Sequence, residues 1–277
     1  DAVRKRGYCL SEDSNIFSAQ AIIAALPSSL RKFINIEIKP ITGSTNTDLK
    51  KLAENGALEG TVLIALEQTG GKGRLGRSFY SPKKTGLYMS ILLQPVFPAE
   101  KSLYITTCAA TAVSEAVDCA ADVNSSIKWV NDVYLDGKKV SGILTEASLD
   151  FESGGLHYAV CGIGVNISTE IFPDKLGNIA GSISDGKKDL RAKLAAEIIT
   201  RFFGYYSTLE QLEFLPEYRR RSFLIGKRID FIMNNKDLSG IAEDIDEKAR
   251  LVVRLDDGKR IALSSGEVQL KKGDIIR

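Results

Sequence analysis

Histidine is nearly missing from this 277-residue chain, with His157 as its only copy. Catalytic triads and histidine metal sites therefore have one candidate at most. His157 lies between Leu156 and Tyr158 after Gly154-Gly155, and reads as a turn or strand residue. Cysteine is scarce too: Cys9, Cys108, Cys119 and Cys161 form no CxxC pair and stand in apolar or helical surroundings. That predicts reduced, buried thiols and argues against a structural zinc site. No apolar run reaches the roughly 18 residues that span a bilayer, and there is no signal-peptide core, so a cytoplasmic protein without membrane contact is expected. Neither charge dominates, since 37 basic residues face 35 acidic ones. The chain is no polycation for nucleic acid, and any basic patch must be local. With 44% hydrophobic residues it can bury a large core, and its length suits two folded units.

The richest stretch is Thr61 to Gln94, TVLIALEQTGGKGRLGRSFYSPKKTGLYMSILLQ: an apolar strand, a loop of glycines and cations, and a second apolar strand. Gly70, Gly71, Gly73 and Gly76 remove side chains that would hold a ligand off the backbone, while Lys72, Arg74 and Arg77 supply positive charge. This suits an anion such as phosphate, with a solvated basic turn as the alternative. Gly71, Gly73 and Gly76 satisfy GxGxxG, but Ser78-Phe79-Tyr80-Ser81-Pro82 follows where a dinucleotide fold needs a helix. The kinase partners HRD and DFG do not occur, and Gly73 after Lys72 breaks the Walker A pattern.

Along the chain, residues 1 to 15 read as a basic, polar tail. Phe17 to Leu26 is a short helix with Ser18 as cap and Pro27 as stop, and Phe33 to Ile41 a first strand. Thr45 and Asp48 have capping-box spacing at the start of a helix closed by Gly56; the hydroxyls there either cap the helix or face a ligand. Leu103 to Ala121 is an alanine-rich helix expected to bury both of its cysteines. Ser126 to Leu149 reads as a hairpin turning at Asp136-Gly137, with Ile127 to Val130 as strand and Gly142 as a point of close approach within the return strand. Tyr158 to Ile167 is a further strand, and Asp189 to Leu212 an amphipathic helix with Leu190, Leu194, Ile198 and Phe202 on one face. Arg219, Arg220 and Arg221 read as a solvated helix face, with a surface for an acidic partner as the alternative. After Ser222 only short strands follow, Arg228 to Met233, Leu238 to Ile245, Leu251 to Leu255 and Arg260 to Leu263. Asn234-Asn235, Asp246-Glu247 and Asp257-Gly258 separate them, giving a small SH3-like barrel.

Gly43-Ser44-Thr45-Asn46, Gln68 with Gly71 to Arg77, Lys128-Trp129-Val130-Asn131-Asp132, Lys139 to Leu144, and Gly162-Ile163-Gly164-Val165-Asn166 together resemble the biotin protein ligases. The blocks occur in the family's order, and the resemblance extends over about residues 30 to 277. It implies an α+β fold: a mixed sheet backed by helices, like the catalytic domain of class II synthetases, followed by a C-terminal SH3-like barrel. The expected division is a remnant and linker of a winged helix-turn-helix at 1–28, a catalytic domain at 29–222 and the barrel at 223–277. With so little of the N-terminal unit present, the chain is not expected to bind DNA, although a full-length form would be a candidate biotin-responsive repressor. A homodimer is compatible with the family.

The resemblance further implies ATP-dependent formation of biotinyl-5'-AMP, then transfer of biotin to a lysine of a biotin carboxyl carrier protein. Lys139 and Arg74 are the implied catalytic cations at the carboxylate and α-phosphate. Ser44, Thr45, Asn46, Gln68, Gly71, Lys72, Trp129, Lys139 and Gly142 are implied for biotin. Arg74, Arg77, Phe79, Asn131, Asp132 and Asn166 are implied for ATP, with Mg²⁺ accompanying the nucleotide near Asp132 and no fixed metal site. The central loop is expected to order over the adenylate. Two positions depart from the family pattern: Val130 replaces a usual proline, which is expected to loosen the turn before Asn131, and Lys72 replaces a usual arginine, which keeps charge but loses a bidentate contact. A lipoate or octanoate ligase is the alternative, but no RRxSGGGxVxHD-like segment is present; a noncatalytic biotin-binding module is the other, and Lys139 with Arg74 speaks against it.

Overall fold

In the computed structural model the residues described are 17–150, 154–186, 189–233 and 235–270, with backbone alone at 2–3 and 7–8. Cys9 and most of the basic lead lie outside them, as does Asn234 of the expected Asn234-Asn235 turn. The two short backbone pieces form an antiparallel ribbon of β1 (Ala2–Val3) and β2 (Gly7–Tyr8).

Helix α1 (Ala19–Ala25) starts where the Ser18 hydroxyl accepts from Ala21 N at 3.1 Å, and ends just before Pro27; α2 (Ser28–Arg31) follows. The large sheet comprises β3 (Asn35–Lys39), β4 (Thr61–Ala65), β5 (Gly86–Leu93), β6 (Ser126–Lys128), β7 (Asp132–Leu135), β8 (Lys138–Leu149) and β9 (Leu156–Asn166). Their spatial order is β3-β4-β5-β9-β8-β7-β6, parallel only between β3 and β4. Every residue of β5 is buried, because both sheet faces are covered. Leu87, Met89, Ile91 and Leu93 point to the core under α4 (Ser102–Ala121) and α5 (Arg191–Tyr206). On the other face Leu92 joins Leu63, Val160 and Leu49 beneath α3 (Thr45–Glu54).

After α6 (Leu215–Arg221) come β10 (Arg228–Met233), β11 (Lys236–Ile245), β12 (Leu251–Leu255), β13 (Arg260–Leu263) and β14 (Val268–Leu270). They form an antiparallel SH3-like sheet in the order β13-β12-β11-β10-β14; β14 carries no strand signal of its own in the sequence. The core of this sheet is continuous with that of the larger one. Across the junction Trp129 Nε1 donates to Ala249 O at 3.1 Å and Tyr104 Oη to Glu247 O at 3.0 Å.

Several expectations need correction. The predicted hairpin over 126–149 is a three-stranded meander, with Trp129 to Asn131 as a turn between β6 and β7. That turn is not loose: Val130 is buried, and Val130 O accepts from Tyr218 Oη at 2.9 Å. The helix expected to reach Leu212 stops at Tyr206. Cys119 is exposed, whereas Cys108 and Cys161 are buried. Of the three arginines read as a solvated face only Arg220 is open. Arg221 turns inward to Asp118, Glu217 and the Ser114 hydroxyl, and Arg219 donates to Ile245 O. A half-buried carboxylate on a neighbouring helix, here Asp118, is invisible to local periodicity.

Candidate active site

Strand pairing lines up one row of residues across the large sheet: Tyr88, Gly164, Gly142, Asp132 and Lys128 stand opposite one another on successive strands. Directly paired residues share a face, so this row is a floor. Its middle has no side chains, and the ring of Phe79, from the glycine-rich loop, lies on it. A Cβ at Gly164 would stand 2.5 Å from that ring, and one at Gly142 would stand 3.1 Å from Lys139 Cε. Lys139 is three residues before Gly142, a spacing that in a regular strand puts the two on opposite faces. A bulge resolves this: Val133 pairs with Ser141 but Tyr134 with Lys139, leaving Val140 extra and turning Lys139 onto the floor. There its Nζ lies 2.6 Å from Asp132 Oδ1.

At the other end of the floor the N-terminus of α3 closes a narrow recess lined by Ser44, Thr45, Asn46, Gln68, Lys72, Phe79, Gly142, Leu144, Gly162 and Gly164. The capping box does not form. Asp48 is drawn away by Thr42 Oγ1 at 2.6 Å and Lys39 Nζ at 3.0 Å, and Gln68 Oε1 takes over as acceptor for Thr45 N at 2.9 Å and Thr45 Oγ1 at 3.1 Å. Asn46 is locked: it donates to Leu144 O at 3.1 Å and Glu146 Oε2 at 2.9 Å, and its Oδ1 accepts from Ser90 Oγ at 2.6 Å. Burial works against the charge of Glu146, but hydrogen bonds from Lys50 and Asn46 outweigh it and hold the carboxyl below its ordinary value.

The recess adjoins a larger cavity of about 470 Å³, and Lys72, Phe79, Gly142 and Leu144 line both. Residues expected to serve a nucleotide, Arg74, Arg77, Asn131, Asp132 and Asn166, all line this cavity, as do Trp129 and Lys139. Arg74 donates to Asn131 Oδ1 at 2.9 Å, and its burial lowers its pKa against the pull of Asp132. Asn166 donates to Gly181 O at 3.1 Å, while its buried Oδ1 has no partner among the described residues. Gly71 lines neither space; what presses on it is Phe79 O and Ser81 Oγ, so it is bare to let the loop fold on itself.

Two contributions escaped the sequence reading. Residues 266–269 of the small sheet line the cavity, where Glu267 takes both Arg77 nitrogens at 2.9 and 2.5 Å. Nothing local in that strand signals it. Lys128 lines the cavity as well; it was visible inside the Lys128-to-Asp132 block, but had no role assigned.

With that geometry in place, the comparison with known proteins finds the sequence pattern of the biotin/lipoate A/B protein ligase family over residues 38–166. The pattern of the biotin protein ligase C terminal domain covers residues 224–271. The class is thus a protein ligase of the biotin/lipoate type, and the relatives narrow it. The bifunctional ligase/repressor BirA of Bacillus subtilis is 31% identical over 277 residues, 98% of this chain and 84% of the relative. The biotin--[acetyl-CoA-carboxylase] ligase of Mycobacterium tuberculosis is 30% identical over 84% of this chain and 88% of its own. The solved biotin protein ligase from Aquifex aeolicus, in complex with biotin and ATP, has a TM-score of 0.70 at 26% identity, covering 86% of this chain and 98% of that one. The chain belongs to the biotin protein ligase family. Among the described residues no helix is long and apolar enough to cross a membrane.

Proposed function

We propose that the chain activates biotin with ATP and passes it to a lysine of a carboxylase's carrier domain. The unit expected at 29–222 supplies the chemistry, and residues 266–269 of the C-terminal unit close one side of the nucleotide cavity. One observation carries the reading: the Lys139 amine stands over Gly142, the floor residue common to recess and cavity. An acid seated in the recess and a nucleotide in the cavity would meet there.

In the first step a carboxylate oxygen of biotin bonds to the α-phosphorus. The bond from that phosphorus to its bridging oxygen breaks, and pyrophosphate departs with the electron pair, leaving biotinyl-5'-AMP. Two anions must approach each other, so fixed cations at the meeting point lower the barrier. Lys139, oriented by Asp132, is placed for this, and Arg74, oriented by Asn131, presents its planar fork to phosphate oxygens. In the second step the acceptor amine attacks the anhydride carbonyl, the carbon–oxygen bond to phosphate breaks, AMP leaves, and the amine's surplus proton passes to solvent. The hydroxyls and amides of Ser44, Thr45, Asn46 and Gln68 serve the polar ring of biotin, and Phe79 with the bare floor encloses its chain.

The carboxylate of Asp132 and the unpartnered Oδ1 of Asn166 offer hard oxygen donors along the cavity, and no cluster of three metal-ligating side chains occurs among the described residues. Those oxygens would hold a magnesium ion brought in by the phosphates. The ion would offset phosphate charge there.

The test is exchange of labelled pyrophosphate into ATP with biotin, lipoate or octanoate, and Lys139→Ala as control. Exchange with biotin alone, lost in the variant, is expected; exchange with lipoate, or none with any acid from folded protein and Mg²⁺, refutes the reading.

A further inference from the structure

Five cationic side chains, Lys72, Arg74, Arg77, Lys128 and Lys139, line the cavity beside the recess against two carboxylates, Asp132 and Glu267. Both carboxylates are taken: Asp132 by Lys139, Glu267 by Arg77. Arg74 is spoken for by Asn131. Lys72 is unpaired too but exposed; Lys128 is half-buried, and its side chain has neither ion pair nor hydrogen bond among the described residues, although burying an unpaired ammonium is costly.

Its position is set by the sheet. On the floor row Asp132 follows Gly142 and Lys128 follows Asp132, one strand at a time. Adjacent strands are about 4.8 Å apart, so Lys128 sits roughly 10 Å from Gly142 on the side away from the recess. Phosphoryl transfer places the attacking and leaving oxygens roughly in line across phosphorus. An acid arriving from the recess end, over Gly164 and Gly142, must expel its leaving group towards Asp132 and Lys128.

We propose that Lys128 binds the departing pyrophosphate, the β- and γ-phosphates of the bound nucleotide, so that Lys139, which reaches over Gly142 from the neighbouring pair, and Lys128, at the end of the row, form a two-lysine track. The inference rests on the ligase reading above. A polyanion supplies the counter-charge that the protein itself withholds from Lys128. Burial accordingly lowers the pKa of this lysine in the free protein, against the pull of Asp132 and Glu267. The neighbouring barrel wall, Glu267 to Gln269, bounds the same end of the cavity.

The experiment is the same isotope exchange with pyrophosphate as the varied substrate, in wild type, Lys128→Met and Lys128→Arg, beside transfer of biotin from supplied biotinyl-5'-AMP to an acceptor domain. Lys128→Met should raise the KM for pyrophosphate at least tenfold and leave the KM for biotin within twofold. Transfer, in which no pyrophosphate takes part, should stay within twofold of wild type, and Lys128→Arg should recover most of the loss. A wild-type pyrophosphate KM in Lys128→Met overturns the proposal. So does a variant in which biotin affinity and transfer fall together with exchange, since that marks a structural residue. Absence of exchange in folded wild type overturns the ligase reading and this one with it, which separates the two failures.

Discussion

Gly162→Ala should be far more damaging than a methyl group suggests. Gly162 pairs with Ser90 on β5 and with Leu144 on β8, and Asn46 of α3 bridges over it from one neighbour to the other. A Cβ at Gly162 would collide with Asn46 Oδ1 and stand 2.8 Å from its Cγ. Asn46 cannot yield cheaply, since three hydrogen bonds hold it and it is buried. Displacing it leaves at least two buried polar groups without partners, at about 1–3 kcal/mol each, so a loss of about 3 kcal/mol is expected. For a protein of this size that lowers Tm by roughly 6–12 °C. Thermal unfolding of Gly162→Ala, Asn46→Ala and the double variant measures it. Because both changes strike the same bonds, the double variant should be within about 0.5 kcal/mol of Asn46→Ala alone. A Gly162→Ala protein melting within about 2 °C of wild type would refute the locked bridge.

Lys139→Met should reduce biotin-dependent exchange by about 10²–10³-fold, the usual cost of removing one preorganised stabilising group, while biotin still binds by calorimetry. Glu267→Gln should scarcely move Tm, as an exposed ion pair contributes only about 0–1 kcal/mol, yet limited proteolysis within residues 70–81 should accelerate once Arg77 is released. Hydrogen bonds from Arg220 and then Arg221, against opposing burial, lower the Glu217 carboxyl from 4.5 to about 2. The folded-state value lies below the unfolded one, so this stabilisation is present above pH 4.5 and fades as pH falls towards 2; solvent screening limits it to about 1 kcal/mol, and Glu217→Gln should flatten Tm against pH over that window. Amide exchange across residues 70–81 should slow when biotin and ATP are added; an unchanged pattern would count against ordering of the loop over the adenylate.

Much of this protein is legible in its residues. Short apolar runs predict the strands from Thr61 and Tyr158, because burial on both faces of a strand selects such runs, and turn pairs such as Asp257-Gly258 mark off most of the one-sided strands of the terminal sheet. Ser18, Pro27 and Gly56 mark helix ends because capping and backbone geometry are local properties. The glycine-and-cation loop reads as one suited to an anion, and a single histidine limits triads and histidine metal sites to one candidate at most.

What depends on pairing between distant segments was not legible. Asp48 could not be known to prefer Thr42 and Lys39 over its own helix end, nor Arg221 to find Asp118 more than a hundred positions away. Glu267 reaches Arg77 from another sheet altogether. The extra residue at Val140 is decided by how β8 meets β7, and only that register carries Lys139 onto the floor beside Gly142 and sets Lys128 at its far end. The sequence alone determined which charges and which bare backbone the site contains, since those are properties of single residues. Their order along one row of the sheet was decided by tertiary structure, because register is a relation between strands and belongs to none of them singly.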